Sequence, residues 1–213
     1  MCVDYHADPE EPFFFAYSTI FKRLKLCLPF TGFEGAFLTE VNVAPAQLHS
    51  NRWAFVRAFS ILCSHFGHTP SVDVFLYFFE AKNPGKKLWM SFNGVAGRVL
   101  LTLFQQSYKS FKGKFFKICC SKFDPALLDG FPFYWVEKPG LKKPRCLEDL
   151  ASQDREVCEF FSNLGAVFST MELIKLEYNP VPTSPRPLTQ RLTSGIMHRC
   201  LVMEGGQMRW APN

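Results

Sequence analysis

The stretch SNRWAFVRAFSILCSHFGHTPSVDVFLYFFEAK, residues 50–82, predicts two consecutive helices that direct aromatic rings into a core. Its first half repeats a large apolar side chain every three or four residues, at Phe55, Phe59, Leu62 and Phe66. Ser50 is placed to cap the start of that helix and Gly67 to end it in a left-handed conformation. In the second half, Pro70 opens a segment that is apolar on almost every side, which is typical of a buried helix over 70–82.

Shorter elements are predicted on both sides of this pair. Apolar spacing and end signals predict further helices over 13–30, 33–43, 154–165 and 171–178. Strand-like segments flank the glycine-rich NGVAG, which predicts a β-hairpin near 88–104, and KFFKICC predicts a strand near 114–120. The predicted fold class is therefore α+β, a mainly helical globular domain with a small antiparallel β-sheet.

Length and composition favour one packed domain. The chain has 213 residues, 47% of them apolar and 24 of them phenylalanine, which is enough for a core built on large rings. The composition changes at both ends of the chain. We expect an acidic flexible leader over 1–12, the domain over 13–178, and a Pro-rich, disordered tail over 179–213.

The cysteines and the hydropathy favour an intracellular protein without membrane contact. The eight cysteines form no C-x-x-C pair, and the chain starts with an acidic segment where a signal peptide would be basic and then apolar. Reduced, mostly buried thiols are the expectation. No apolar run approaches the roughly 20 residues of a membrane span. The choice between nucleus and cytoplasm stays open.

No motif for catalysis is recognisable, so we expect no enzymatic activity, no cofactor and no small-molecule substrate. The sequence lacks a nucleophile elbow, a phosphate-cradling glycine loop and an acidic metal cluster. Cys63, His65 and His68 lie within six residues, but their spacing differs from that of zinc knuckles and fingers. We expect no metal site.

The charge distribution points to an anionic partner or to self-association. Residues 82–122 carry nine basic side chains and no acidic one, whereas 148–159 carries five acids and one base. RNA or DNA is therefore a candidate partner of the basic span, and the candidate nucleic-acid-binding residues are Lys109, Lys112, Lys114, Lys117 and Arg98. Tyr108 and Phe111 could stack on bases beside these lysines. A structural strand whose rings fill the core is the favoured interpretation of the same stretch.

The order of elements also fits a winged-helix DNA-binding module. Helix 51–66, a short turn, helix 70–82 and a hairpin follow one another in the order that such modules use. The second helix, however, offers Asp73, Tyr77 and Glu80 where a recognition helix needs a polar, usually basic face. Repulsion between its two acids and phosphate disfavours insertion into a groove.

Seven phrases in a fixed order resemble one known family. They are LPFTGF (28–33), NVAPAQLHSNRWAFVRAF (42–59), GHTPSVDVFLYFF (67–79), SYKSFKGKFFK (107–117), FPFYWVEKP (131–139), DREVCEFF (154–161) and LIKLEY (173–178). Together they resemble the plant gypsy-type transposon domain, a gag-like region in the N-terminal part of plant retroelement-derived proteins, over about 13–178.

The resemblance implies a non-catalytic, gag-like structural or interaction domain, because the family has no accepted catalytic residues to transfer. Two features depart from the family pattern. Ser50 replaces a proline, and residues 179–213 lack the long charged regions that follow in family members. The alternatives are the winged-helix-like DNA-binding module and a degenerate remnant without activity.

Overall fold

A computed structural model of the chain describes residues 12–82, 89–102, 104, 111–120, 123–137, 139, 142–178, 201–204 and 207–210. The α-helices in these ranges are α1 Ser18–Lys22, α2 Gly32–Val41, α3 Ser50–His65, α4 Val72–Phe78, α5 Ser152–Asn163 and α6 Thr170–Tyr178. The strands are β1 Phe13–Tyr17, β2 Phe79–Lys82, β3 Ser91–Gly94, β4 Phe115–Cys119, β5 Leu201–Glu204 and β6 Gln207–Trp210. The antiparallel pairs are β1–β4, β2–β3 and β5–β6. The predicted α+β class is confirmed.

The long helix of the opening stretch is present as α3, and a neighbouring residue caps it. The Nδ1 atom of His49 accepts a hydrogen bond from the backbone N–H of Asn51 at 3.0 Å, so His49 takes the capping position predicted for Ser50. Ser50 becomes the first helical residue and is fully buried. After the helix, Gly67 adopts φ +77°, the left-handed conformation expected of it.

The helix predicted over 13–30 is wrong in its first part, because residues 13–17 form β1. The stretch FFFAY has rings at consecutive positions, so it fits a helical period and a strand period equally well. Pairing with β4 decides in favour of the strand, since it satisfies the backbone groups of both segments. The helical part is limited to α1.

The strand near 114–120 is confirmed as β4, but the hairpin near 88–104 is not formed as predicted. The first half of that hairpin is β3, which pairs with β2 rather than with residues 98–104. This is possible because α4 ends at Phe78, four residues before the predicted end at 82, and the chain continues as a strand. The second half instead makes a parallel bridge from Leu101 to Phe168.

The core is organised around the ring of Phe75 on α4. This side chain is fully buried, and its centroid lies 4.6 Å from that of Phe79, 5.2 Å from Phe37 and 5.3 Å from Phe59. A further contact of 5.7 Å joins it to Phe92 on β3. One ring therefore connects α2, α3, α4, β2 and β3.

Charged side chains attach residues 142–151, here called the connector, to α2 and α4. Arg145 donates to Asp73 Oδ1 at 2.8 Å and to Glu40 Oε1 at 2.9 Å, and Lys142 Nζ lies 3.0 Å from the same Glu40 oxygen. Burial favours the neutral form of Glu40, but hydrogen bonds and charges from Lys142 and Arg145 outweigh it and lower the pKa of this carboxyl. The group joins α2, α4 and the connector.

The terminal segments and the cysteines agree only in part with the predictions from the sequence. The leader and most of the tail predicted over 179–213 lie outside the described residues, and 201–210 contains the β5–β6 pair, where no regular structure was expected. Among the described cysteines, Cys63, Cys119, Cys120, Cys146 and Cys158 form no disulfide, as predicted, whereas Cys27 is disulfide-bonded, which contradicts the expectation of reduced thiols. None of the helices that the structure describes is long and apolar enough to cross a membrane.

Replacing Phe75 by alanine is expected to destabilise the fold by about 3–5 kcal/mol, because a large buried ring is lost and its neighbours cannot close the cavity. Urea denaturation followed by circular dichroism measures this free energy of unfolding. The control is Phe115→Ala, which removes a ring that is 52% exposed and should change the free energy of unfolding by less than about 0.5 kcal/mol. Equal effects of the two variants would contradict the central position of Phe75.

Replacing Glu40 by glutamine is expected to weaken the fold at neutral pH and to reduce its sensitivity to acid. A carboxyl whose folded pKa is lowered stabilises the fold above its unfolded pKa, and this contribution is lost as the pH falls through the folded value. The difference in urea midpoint between the native chain and the variant should therefore shrink below about pH 4. Glu156→Gln on α5 controls for the loss of one negative charge, and a pH-independent difference would contradict the prediction.

Candidate nucleic-acid interface

The β1–β4 pair has two faces, of which one packs into the core. Its register places Phe14 opposite Ile118 and Ala16 opposite Phe116, and these side chains point into the core. The alternate residues lie on the other side, here called the outer face, and they are Phe13, Phe15 and Tyr17 on β1 and Phe115, Lys117 and Cys119 on β4. Five of these six side chains are aromatic or basic.

More rings extend the outer face at both ends. At one end, Tyr134 packs edge to face on Phe13 with a centroid distance of 6.1 Å. At the other end, Trp89 stacks on Tyr17 at 5.8 Å and contacts Trp135 at 5.6 Å. Phe111 joins this end through its 5.0 Å contact with Tyr17. We call the outer face of the strands, together with Trp89, Phe111, Tyr134, Trp135 and Lys112, the aromatic–basic face.

A buried amide holds the segment that carries Tyr134 and Trp135. The side chain of Gln47, which is fully buried, donates from Nε2 to the carbonyl of Val136 at 2.7 Å. Its Oε1 accepts the N–H of the same residue at 3.2 Å. Because this pair satisfies both backbone polar groups of one residue, the extended segment is fixed where its rings meet the strands.

The structure brings two of the five predicted nucleic-acid-binding residues, Lys112 and Lys117, to the rings of this face, and Lys114 lies between them in the chain. Lys112 Nζ lies 5.3 Å from the ring centroid of Trp89, and Lys117 Nζ lies 4.1 Å from that of Phe13. Lys114 is exposed directly before β4, and its carbonyl accepts the N–H of Ser18 at 2.8 Å. All three lysines are exposed.

The other two predicted residues lie elsewhere. Lys109 is outside the described residues. Arg98 stacks its guanidinium on the ring of Tyr77 at 4.3 Å and donates to the carbonyl of Arg145 at 3.1 Å. Its contacts are therefore with α4 and the connector, where they support packing. Tyr108, proposed as a stacking ring, is also outside the described residues, whereas Phe111 is part of the face.

Positive charge is concentrated where the face meets the start of α3. The ring of His49 contacts Phe111 at 4.9 Å. Burial, followed by the charges of Arg52 and Lys112, lowers the pKa of His49, so this imidazole is held neutral beside the cations. A neutral Nδ1 is also what the cap of α3 requires, because it must accept a hydrogen bond.

The rings of β1 and of the 131–136 segment are the functional candidates that the sequence did not reveal. Phe13, Phe15 and Tyr17 were assigned to a helix, although their alternate spacing is also the signal for one face of a strand. In the sequence, Tyr134 and Trp135 stand out only as part of the phrase FPFYWVEKP that contributes to the family resemblance. Their position beside β1 depends on Gln47, and nothing in the local sequence indicates that contact.

The position of α4 disfavours a winged-helix mode of DNA binding. Val74, Phe75, Leu76, Tyr77 and Phe78 are all buried, which is most of this seven-residue helix. Of the two polar positions near its start, Ser71 donates to Asp154 at 2.9 Å and Asp73 accepts from Arg145. A recognition helix needs an exposed side that reaches base edges, and α4 has its sides occupied by the core and by α5.

The residues considered for a metal site are separated by packing. Cys63 is buried, and burial together with the neighbouring Cys158 raises the pKa of its thiol to about 12. The ring of His68 packs on Phe160 at 4.8 Å, and that of His65 packs on Phe66 at 5.0 Å. Among the described residues, no group of three or more His, Cys, Asp or Glu side chains could hold a metal ion.

A cavity of about 330 Å³ lies between the start of α2 and residues 123–131. Rings of Phe14, Phe30 and Phe131 form much of its wall, and Glu40 and Asp129 supply carboxylates. The described residues that line it include no histidine, cysteine or serine. The aromatic–basic face is the stronger candidate for a functional site.

Comparison with known proteins gives no relative from which to transfer a function. No protein-family model, no curated protein and no solved structure matches this chain. The aromatic–basic face therefore has to be interpreted from its own chemistry.

Replacing Gln47 by methionine is expected to loosen the segment that carries Trp135. Methionine fills a similar volume but leaves the N–H and carbonyl of Val136 unpaired, which should cost about 1–3 kcal/mol in the free energy of unfolding. Acrylamide should also quench Trp135 more strongly. The Trp135→Phe variant isolates the signal of this residue from that of the other tryptophans. Unchanged quenching and stability would show that other contacts hold the segment.

Proposed function

We propose that this chain is a non-catalytic, gag-like structural or interaction domain of the plant retroelement kind that associates with nucleic acid through the aromatic–basic face. The observation that carries the proposal is the position of Lys112 and Lys117, two exposed cations over rings of one sheet face, with the exposed Lys114 between them in the chain. Clustered lysines attract a polyanion because phosphate contacts release counterions. The resemblance in the seven phrases supports the gag-like part of the proposal.

The cations are available for a partner. Within the part of the chain that the structure describes, none of the three ammonium groups forms an ion pair with a carboxylate, whereas Lys82, Lys142 and Arg145 do. Lysine keeps its ammonium hydrated at the end of a flexible stem, so it can exchange water for a phosphate oxygen. The intracellular location proposed from the sequence is compatible with such a partner.

Self-association is a second candidate function, supported by a cluster of exposed acidic residues. Glu148, Asp149, Glu156 and Glu159 are exposed on the Leu147–Asp149 turn and on α5. Acidic residues of one copy could meet the lysines of another, either reciprocally in a two-fold dimer or head to tail in a ring or an open chain. This arrangement would suit a domain that assembles, and it would compete with nucleic acid for the same cations.

The variant Lys112→Gln/Lys114→Gln/Lys117→Gln is expected to bind nucleic acid more weakly and with less dependence on salt. For a single strand, the slope of log K against log salt should fall by about two, since each phosphate contact contributes roughly 0.7. Fluorescence anisotropy with a labelled oligonucleotide measures both quantities. Sedimentation velocity of the same samples tests whether the chain associates with itself and whether that association also falls with salt.

The control variant Lys22→Gln/Lys143→Gln/Lys175→Gln removes the same charge from exposed positions on α1, the connector and α6. It should keep most of the affinity and most of the salt slope. Arg98→Gln should likewise have little effect on binding, because its guanidinium is engaged with Tyr77. If the two triple variants lose affinity equally, binding of nucleic acid depends on the net charge of the protein alone, and the assignment to this face is wrong. Tighter binding of duplex DNA through other residues would favour the winged-helix alternative.

A further inference from the structure

The aromatic–basic face leaves three large rings in contact with solvent. The exposed fractions are 52% for Phe115, 44% for Tyr134 and 44% for Trp135. The other large apolar side chains exposed in the described part of the chain are aliphatic, namely Val99, Leu164 and Val167. Exposed rings that cluster on one surface are a recognised mark of a binding site. The three exposed rings therefore indicate that this face binds a ligand with complementary planar groups.

Each exposed ring is fixed by a neighbouring ring. Phe115 meets Phe15 at 5.4 Å and 90°, Tyr134 meets Phe13 at 87°, and Trp135 meets Trp89 at 81°. An aromatic ring has two flat sides, and a neighbour in edge-to-face contact covers at most one of them. Each of the three rings is thus held in place by a neighbour that leaves at least one of its flat sides uncovered.

The cations sit among these rings, so one ligand can meet both. Lys117 lies over the ring of Phe13, which also contacts Tyr134. Lys112 lies over the ring of Trp89, which also contacts Trp135. Lys114 precedes Phe115 in the chain. A ligand that fits this arrangement alternates planar aromatic groups with negative charges. Single-stranded nucleic acid has this chemistry, because its unpaired bases are free to stack while its phosphates follow the strand.

We infer that the aromatic–basic face binds single-stranded nucleic acid by stacking unpaired bases on Phe115, Tyr134 and Trp135, with Lys112, Lys114 and Lys117 at the phosphates. The inference rests on the proposed function and adds the class of ligand. A duplex is disfavoured, since its bases are already stacked on one another and cannot reach a flat protein face. Gln47 is a positioning residue of this site, because it fixes the segment that presents two of the rings.

The experiment compares an abasic strand with base-containing strands of the same length and charge, and with a duplex. The full chain is titrated into labelled deoxyuridylate, uridylate and abasic strands of about 12 nucleotides, and into a duplex of the same length, at low salt. The strands with bases should bind more tightly than the abasic strand and the duplex. The deoxyuridylate and uridylate arms, which differ in the 2′-hydroxyl group, show whether DNA or RNA is preferred.

Ring variants locate the stacking. Phe115→Ala and Trp135→Ala should each weaken binding of the strands with bases by roughly five- to a hundredfold, and should leave abasic binding nearly unchanged. Phe115→Leu keeps apolar area without a π face and should resemble the alanine variant, whereas Trp135→Phe should retain most of the affinity. Val167→Ala, at an apolar side chain that is 53% exposed outside this face, is the matched control and should bind like the native chain. Native near-ultraviolet circular dichroism confirms that each variant is folded.

The outcomes separate this inference from the proposed function. Equal affinity for abasic and base-containing strands would overturn stacking and leave the phosphate contacts intact. Absence of binding to every strand would overturn the proposed function and the inference together. If the ring variants change the mass of the chain in sedimentation velocity while nucleic-acid binding stays the same, the face is an interface between copies, and the inference is wrong.

Discussion

The packing of aromatic rings around Phe75 is the constraint on which the rest of the fold depends. This ring lies between α2, α3, β2 and β3, and the neighbouring rings of Phe37, Phe59, Phe79 and Phe92 enclose it. Because such rings fill space at fixed angles, the elements that carry them have little freedom to shift. The short α4 follows from this arrangement, since the chain must turn to a strand after Phe78 to bring Phe79 against the same cluster.

The filled core explains why the β1–β4 pair has an outer face at all. Phe14 points inward and stacks on Phe30 at 5.6 Å, which in turn stacks on Trp53 at 5.2 Å, so the inner side of β1 is satisfied by the core. In a two-stranded pair the alternate residues must point the other way. The rings on that side pack on one another and on Trp89, Phe111 and Tyr134. The same alternation that completes the core therefore creates the candidate site.

The sequence predicts the elements of this fold better than their partners. Helices α2, α3, α5 and α6 and strand β4 lie where apolar spacing and end signals place them, because those signals are local. Strand β1 was missed because consecutive rings fit both periods, and β2–β3 pairing was missed because the choice of a strand's partner depends on tertiary contacts. The lysines of the site are visible in the composition of residues 82–122. Its rings are not, because β1 and β4 are about a hundred residues apart and Gln47 acts across 89 residues.

The arginine and the lysines of residues 82–122 have different positions because their charged groups differ in chemistry. The arginine packs inside the fold, whereas the described lysines of the site lie at the surface. Arg98 has a planar guanidinium with several donors, so it can stack on Tyr77 and donate to a carbonyl at the same time, and its charge is used inside the fold. Lys112 and Lys117 also lie over rings, but an ammonium at 4–5 Å from a ring keeps donors directed to water. A phosphate oxygen can replace that water without removing the lysine from its ring. The pairing of lysine with aromatic residues thus holds each cation near the surface on which a base would stack in the proposed complex, where attraction of the phosphate and stacking of the base would act on the same nucleotide.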